Sequence, residues 1–539
     1  MTKLRPFGTI FGLIMKRLIE ISLILATFAF AQVWVARYNS NPDENPDDVA
    51  FAIVLDAQYN VYVTGYSPID YHVNYDYATI KYDRNGIEQW VARYNGPGDS
   101  TDQARAIGID AQENIYVTGF SYGGSTNNDF ATIKYNNQGE TIWVARYNGP
   151  ANNDDQAYAM KVSPQGDVYV TGYCSGIGSY WDYCTIRYNT QGETIWVARY
   201  NGPGNSNDAA TAIALDPSGN CYVTGSSPGQ NTSYDMVTIK YNPAGETVWV
   251  ARYNGTGNDF DKGVSIAVNE TGNVWVTGIS IGADTSYDYV TIRYNPDGSE
   301  HWVARYNGPD NKDDRATALT LDENNNVYIT GSSTTSNFTT DFITIKYDSS
   351  GTEQWNARYN GLEDNNDYPN AIVVDRFGNV CVCGYSQSNI TLKDFVTVKY
   401  NPSGETCWVT VYNYGVNLDD IAYDLTTDDS GYVYVTGYSF GAGTFRDYVT
   451  IKYYPSGYLK INEIADNPIS ENKIKIFPNP VKNIVNVTSS MPVQIFNISG
   501  QLVTTLKPGI NKIQNLSKGI YFAKDKTEVF SKFVVLPPD

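Results

Sequence analysis

Hydrophobic and polar positions alternate along most of this chain, in short runs broken by Gly, Asn, Asp and Pro. Between positions 104 and 149 four such runs read "ARAIGID", "NIYVTGF", "FATIKY" and "TIWVARYN". Each is rich in Val, Ile, Thr and aromatics, which fit a pleated, half-buried surface. The link between the last two, "NNQGE" (136–140), becomes "NPAGE" at 242–246 and "NPSGE" at 401–405. Turns this short join antiparallel neighbours. No stretch after residue 32 carries a helical period. The pattern predicts a four-stranded antiparallel unit.

The unit recurs. Trp34, Trp90, Trp143, Trp196, Trp249, Trp302, Trp355 and Trp408 open successive copies, the first interval being 56 residues and the other six 53. About 50 residues in four strands is the size of one propeller blade. A β-helix coil is roughly half as long, and a leucine-rich repeat needs a Leu ladder that is absent. The first copy starts directly on "VWVARYN" (33–39), and the eighth ends at "DYVTIKYYPSGYLKI" (447–461) with no "WVARY" after it. The expected fold is therefore all-β: an eight-bladed β-propeller over 32–461, its last blade completed by the N-terminal strand. Such closure removes the free sheet edges between first and last blades.

A net charge of −20 argues against nucleic acid or an anionic membrane as partner. The six cysteines (174, 184, 221, 381, 383, 407) fall at different repeat positions, unlike a disulfide framework or a metal motif. Cys174 and Cys184 flank one hairpin loop and are the one candidate pair. At the N-terminus, 16–31 has a basic start, an apolar run and Ala-Phe-Ala before Gln32, so 1–31 reads as a secretory signal peptide, with Met15 an alternative start.

After a polar linker (462–472), residues 473–539 change character: short alternating strands separated by Gly, Asn and Pro, as in a small β-sandwich. Phe477-Pro478-Asn479-Pro480 and Asn497-Ile498-Ser499-Gly500-Gln501 give this tail a close resemblance to the type A C-terminal sorting domain of the type IX secretion system. The resemblance implies export by that machinery through the periplasm to the outer-membrane surface of a Gram-negative bacterium, with release or anchoring there. The repeats, through "NVYVTG" (60–65) and "DYVTIKY" (447–453) and their equivalents, resemble the bacterial SBBP β-propeller repeat, which implies a propeller and no common reaction.

With the "AxAI" strand innermost, strand alternation puts the tight turns on one face and the longer, variable loops on the other, the expected binding face. Asp48, Asp102, Asp155, Asp208, Asp261, Asp314, Asp367 and Asp420 precede the inner strands on that face, and Asp76 and its equivalents precede the third strands. Turn chemistry is the expected role of both rings. Ca²⁺ ligation by the first ring is the weaker alternative, since no loop shows a regular ligand spacing. No other cofactor is expected. Tyr71, Tyr75, Tyr122, Trp181, Tyr234, Tyr287, Phe338 and Phe445 are expected at the tips of the long loops and are the candidate ligand-binding residues, for an extracellular glycan or surface protein. The recurrent Trp is expected to fill gaps between blades, and the recurrent Arg (Arg37, Arg93, Arg146, Arg199, Arg252, Arg305, Arg358) to pair with carboxylates.

Enzyme motifs are weak. Four GxSxG matches (119–123, 225–229, 278–282, 437–441) follow a strand into a loop with no helix behind them. His72 and His301 have no company for a triad or zinc site. The expectation is a monomeric, secreted or cell-surface, non-catalytic binding or scaffold propeller. The alternative is a hydrolase or lyase acting on polysaccharide.

Overall fold

The computed structural model describes residues 32–41, 47–68, 74–283, 286–361, 364–414, 417–441 and 444–456, and seven strands between 475 and 535. The signal-peptide stretch, Tyr71, His72 and the linker lie outside them. Two compact units divide between Gly457 and Tyr458.

Among the described residues the first unit holds eight four-stranded antiparallel sheets, each built from consecutive strands except the last. The second blade is typical: Asp102–Ile109, Ile115–Tyr122, Asn128–Tyr135 and Thr141–Tyr147. In the eighth, Gln32–Tyr38 pairs antiparallel with Arg446–Tyr453, outside Val433–Phe440 and Asp420–Thr427. The ring is closed by N- and C-terminal strands in one sheet, and the seam is as continuous as any other hairpin.

Each inner strand packs against the inner strands of both neighbours, including Val49–Leu55 against Asp420–Thr427 across the seam. All eight inner strands carry a bulge at one place, between Ala104 and Ala106 in the second blade and Ala422 and Asp424 in the eighth. A bulge adds a residue and bends the strand. At Gly119 of the facing strand a Cβ would collide with the Gln103 carbonyl oxygen, which is why "VTG" ends in glycine.

The recurrent tryptophans stitch blade to blade. Each of the eight indole N–H groups donates to a carbonyl in the third turn of the next blade, from Trp34 to Arg84 (3.1 Å) through to Trp408 to Pro455 (3.2 Å). The indole of Trp90 lies between Tyr62 of its own blade (6.0 Å) and Tyr135 of the next (6.4 Å). It also rests on the turn glycine, Gly139, whose φ is +82° and whose Cβ would meet the ring at 2.7 Å.

The second unit contains two antiparallel sheets. Lys475–Phe477, Ile484–Ser489 and Gly509–Gln514 form one, and Leu502–Leu506, Val493–Asn497, Gly519–Lys524 and Phe530–Val535 the other. Phe477 ends the first strand; Pro478, Asn479, Pro480 and Gly500 lie outside the described residues.

Candidate functional site

The two aspartate rings are interior structure. Asp102 is fully buried. Its Oδ2 accepts the Gly96 N–H at 2.6 Å and its Oδ1 the Tyr122 N–H at 3.0 Å. Asp155, Asp208, Asp261, Asp314 and Asp367 hold the matching glycine N–H, and Asp48 and Asp420 hold those of Ser40 and Tyr414. Burial pushes these carboxyls up, to about 7 for Asp48 and Asp420 and about 6 for Asp155, Asp314 and Asp367.

The second ring does more than shape turns. Asp129 pairs with Arg146 at 2.8 Å, and the equivalent pair stands in seven blades, formed in the eighth by Arg37 with Asp447 at 2.6 Å. Arg146 also donates to the Tyr94 hydroxyl of the preceding blade (2.8 Å) and to the Ser121 carbonyl (2.9 Å). In five blades the arginine makes this tyrosine contact, tying the outer strand to its own third strand and to the neighbouring blade. The seventh blade departs from it: Val411 replaces Arg, and Asp394 accepts from Asn413 and Thr391.

This geometry disposes of the GxSxG matches. Ser121, Ser227, Ser280 and Ser439 are fully buried in the second strands, each with its hydroxyl held by the blade arginine. Cys174 and Cys184 are buried free thiols, so the candidate disulfide is not formed. Among the described residues no three His, Cys, Asp or Glu side chains converge as metal ligands would.

The aromatic candidates are scattered, and most stand at strand ends, not loop tips. Tyr75, Trp181, Tyr234 and Tyr287 open third strands and Tyr122 closes a second strand. Tyr234 and Tyr287 both pack on Phe260 (5.5 and 6.1 Å), and Tyr75 packs edge-on to Tyr66 (4.6 Å). Phe338 and Phe445 are exposed in loops, the former under Lys312. Trp181 lines a cleft of about 260 Å³, with Tyr180, Asn153, Ser179 and Asn207 among its walls. It stacks on Tyr173 with centroids 4.4 Å apart and planes at 25°, and Tyr173 packs on the inner-strand Tyr158 at 5.7 Å. An aromatic path thus runs from the inner strand of the third blade to its rim.

The sequence reading passes over the inner-strand residues. The bulge column reads Phe51, Arg105, Tyr158, Thr211, Val264, Thr317, Asn370, Tyr423. It varies from blade to blade, as do the columns of Gln103 and Lys161, beside near-constant Asp, Ala and Ile/Leu columns, and that variability was the available signal.

Comparison with known proteins agrees with this architecture. The β-propeller repeat (SBBP) model matches residues 302–339 and 356–391. The secretion system C-terminal sorting domain model matches 475–535. The chain carries SBBP propeller repeats and a type IX sorting domain. The sorting domain marks this propeller for secretion to the cell surface and for contact with the secretion machinery. The propeller is similar to an uncharacterized WD repeat-containing protein of Acanthamoeba polyphaga mimivirus, 25% identical over 454 residues, 72% of this chain. The chain spans 29% of that relative's length. Among solved structures it is similar to an α-L-arabinanase of Penicillium chrysogenum complexed with arabinobiose (14% identity, 54% of this chain and 91% of that one, TM-score 0.35). It is also similar to the β-propeller domain of the trilobed protease from Pyrococcus furiosus (10% identity, 70% and 91%, TM-score 0.34). Likeness at these scores carries no reading of activity.

Proposed function

We propose that this propeller is a non-catalytic binding module of the cell surface, and that the cleft of its third blade takes a neutral saccharide. The observation that carries this reading is the Trp181–Tyr173 stack in a cleft walled by amides and hydroxyls. Aromatic faces bury the C–H face of a sugar, while Asn and Ser side chains meet its hydroxyls. No carboxylate or imidazole lines the cleft, so general acid–base chemistry has no agent there. The adjoining Asp182 is tied to Arg199 (2.6 Å) and Ser179 (3.1 Å).

The test is titration of the chain with neutral oligosaccharides, read by tryptophan fluorescence, beside assays on chromogenic glycosides. Trp181→Ala is expected to weaken binding about tenfold or more. Glycoside turnover abolished by one Asp→Asn change would replace this reading with a polysaccharide-active enzyme.

A further inference from the structure

The central channel breaks the repeat in charge and in aromatic content. The chain has a net charge of −20. Beyond the buried ring aspartates, however, the eight inner strands hold Arg105, Lys161, Lys262 and Arg315 against one acid, Asp424, and of these cations Arg315 is paired with Asp313 (2.9 Å) over Tyr287. Arg105 occupies the bulged position of the second blade. Its guanidinium lies over Phe51 of the first blade at 4.6 Å and within electrostatic reach of Tyr158 of the third and Tyr423 of the eighth. It donates to the neutral Gln103 amide at 2.8 Å, and its buried Nε has no acceptor.

Lys161 is exposed to water yet enclosed by protein, and it feels Asp424 from the eighth blade. Third and eighth blades are not neighbours, so the two groups face each other across the channel. Asp424 is itself held by the backbone N–H groups of Ile53 (3.0 Å) and Leu425 (2.9 Å). Enclosure lowers the pKa of both Arg105 and Lys161, the cost of holding a cation where no anion pairs with it closely. The bulge column supplies aromatics on one side (Phe51, Tyr158, Tyr423) and Thr211, Thr317 and Asn370 on the other, where the Thr211 hydroxyl donates to the Gly263 carbonyl (2.7 Å) and the Asn370 amide to the Ala422 carbonyl (2.6 Å) of the next blade, leaving their oxygens as acceptors.

We propose that the central channel binds an anionic saccharide, its acidic group taken by the Arg105 guanidinium, with Lys161 of the adjacent blade adding positive charge to the same channel, and its ring by the Tyr158 and Tyr423 faces. A guanidinium suits a carboxylate or a sulfate ester. The aromatic wall suits the C–H face of a sugar, and the hydroxyl and amide wall opposite suits its other substituents. A bare inorganic anion would leave both walls unused. The site is separate from the third-blade cleft and differs from it in ligand charge.

The chain from Gln32 to Asp539 is titrated calorimetrically with trigalacturonate, a heparin-derived sulfated disaccharide, neutral galactotriose, inorganic phosphate and tetraglutamate. One-to-one binding of an acidic saccharide is expected, and whichever of the two binds identifies the anion. Arg105→Gln and Lys161→Gln should each weaken it about tenfold, with Arg105→Lys recovering part. Lys161 stands in channel water, so its variant should melt like the parent. Trp181→Ala should leave this binding unchanged, which keeps it distinct from the cleft reading. Four results would overturn the proposal: no saturable binding of either acidic saccharide, equal binding of galactotriose, phosphate or tetraglutamate binding as tightly, or unaltered affinity in both glutamine variants.

Discussion

The outer walls of the blades and the lining of the channel obey opposite rules. In the walls the repeats are nearly identical: Trp to turn carbonyl, Arg to Asp, glycine beneath indole. In the channel one column runs from Phe51 through Arg105 and Thr211 to Asn370. Every blade must solve the same packing problem against its neighbour, so wall positions share one solution. Channel residues carry less of that shared packing, and they differ even where, as at Thr211 and Asn370, they also donate to the next blade. Identity between repeats marks the scaffold, and difference marks where a ligand can be read.

The largest break in that scaffold should come from its seam. Deleting 32–38 leaves the Arg446–Tyr453 strand with an open edge and uncovers the cluster around Ala36, Ala78 and Tyr448. Loss of the cooperative denaturation transition and aggregation are expected. Trp34→Ala alone should cost about 2–3 kcal/mol, below the figure for a fully buried indole because Trp34 is partly exposed. An unchanged denaturant midpoint would show that the strand does not seal the ring.

Arg146→Met should cost about 3 kcal/mol, since it strands the buried Asp129 carboxylate. The seventh blade shows a partial remedy, because Val411 stands there in place of arginine while Asn413 and Thr391 donate to Asp394. Their counterparts in the second blade are Asn148 and Thr126, and Thr126 already donates to Asp129 at 3.0 Å. Adding Asn148→Ala to Arg146→Met should therefore deepen the loss beyond the sum of the two single changes, read in denaturant titration. A strictly additive pair would show that Asn148 does not turn to the stranded carboxylate.

Acidification should act in the opposite direction. The ring carboxyls near 7 (Asp48, Asp420) and near 6 (Asp155, Asp314, Asp367) bind protons more tightly folded than unfolded. Stability from them therefore falls as pH rises from about 4 through about 7, and lowering pH from 8 to 5 should raise the denaturant midpoint. A midpoint that falls over that range would mean these groups are not enclosed as described.

Gly139→Ala should cost about 2 kcal/mol, from a positive φ and a methyl driven into Trp90. Trp181→Ala, at a residue 37% exposed, should move stability least, by about 0.5 kcal/mol or less, while removing saccharide binding at the cleft. A large stability loss there would place Trp181 with the walls.

Much of the scaffold was legible in sequence because it is written eight times. The Trp spacing predicted the blades, the missing last "WVARY" predicted the closure, and the Arg and Asp columns predicted an ion pair of some kind. Which aspartate took the arginine was not legible. Asp102 and Asp129 both open strands, and only the pleat decides that Arg146 reaches the second while backbone N–H groups reach the first. Loop position points to the binding-face aromatics, but strand ends pack several of them against neighbours, while Trp181 meets a cleft.

By itself the sequence determined the repeat, the strand order and the address at the C-terminus, because each depends on local alternation, fixed spacing or a short motif. Ring closure decided the rest. It sets Lys161 opposite Asp424 and Arg105 among rings from three other blades, although these residues lie far apart along the chain. No local pattern encodes such meetings. They arise because eight sheets, each needing both faces covered, can satisfy one another only by closing on a common axis.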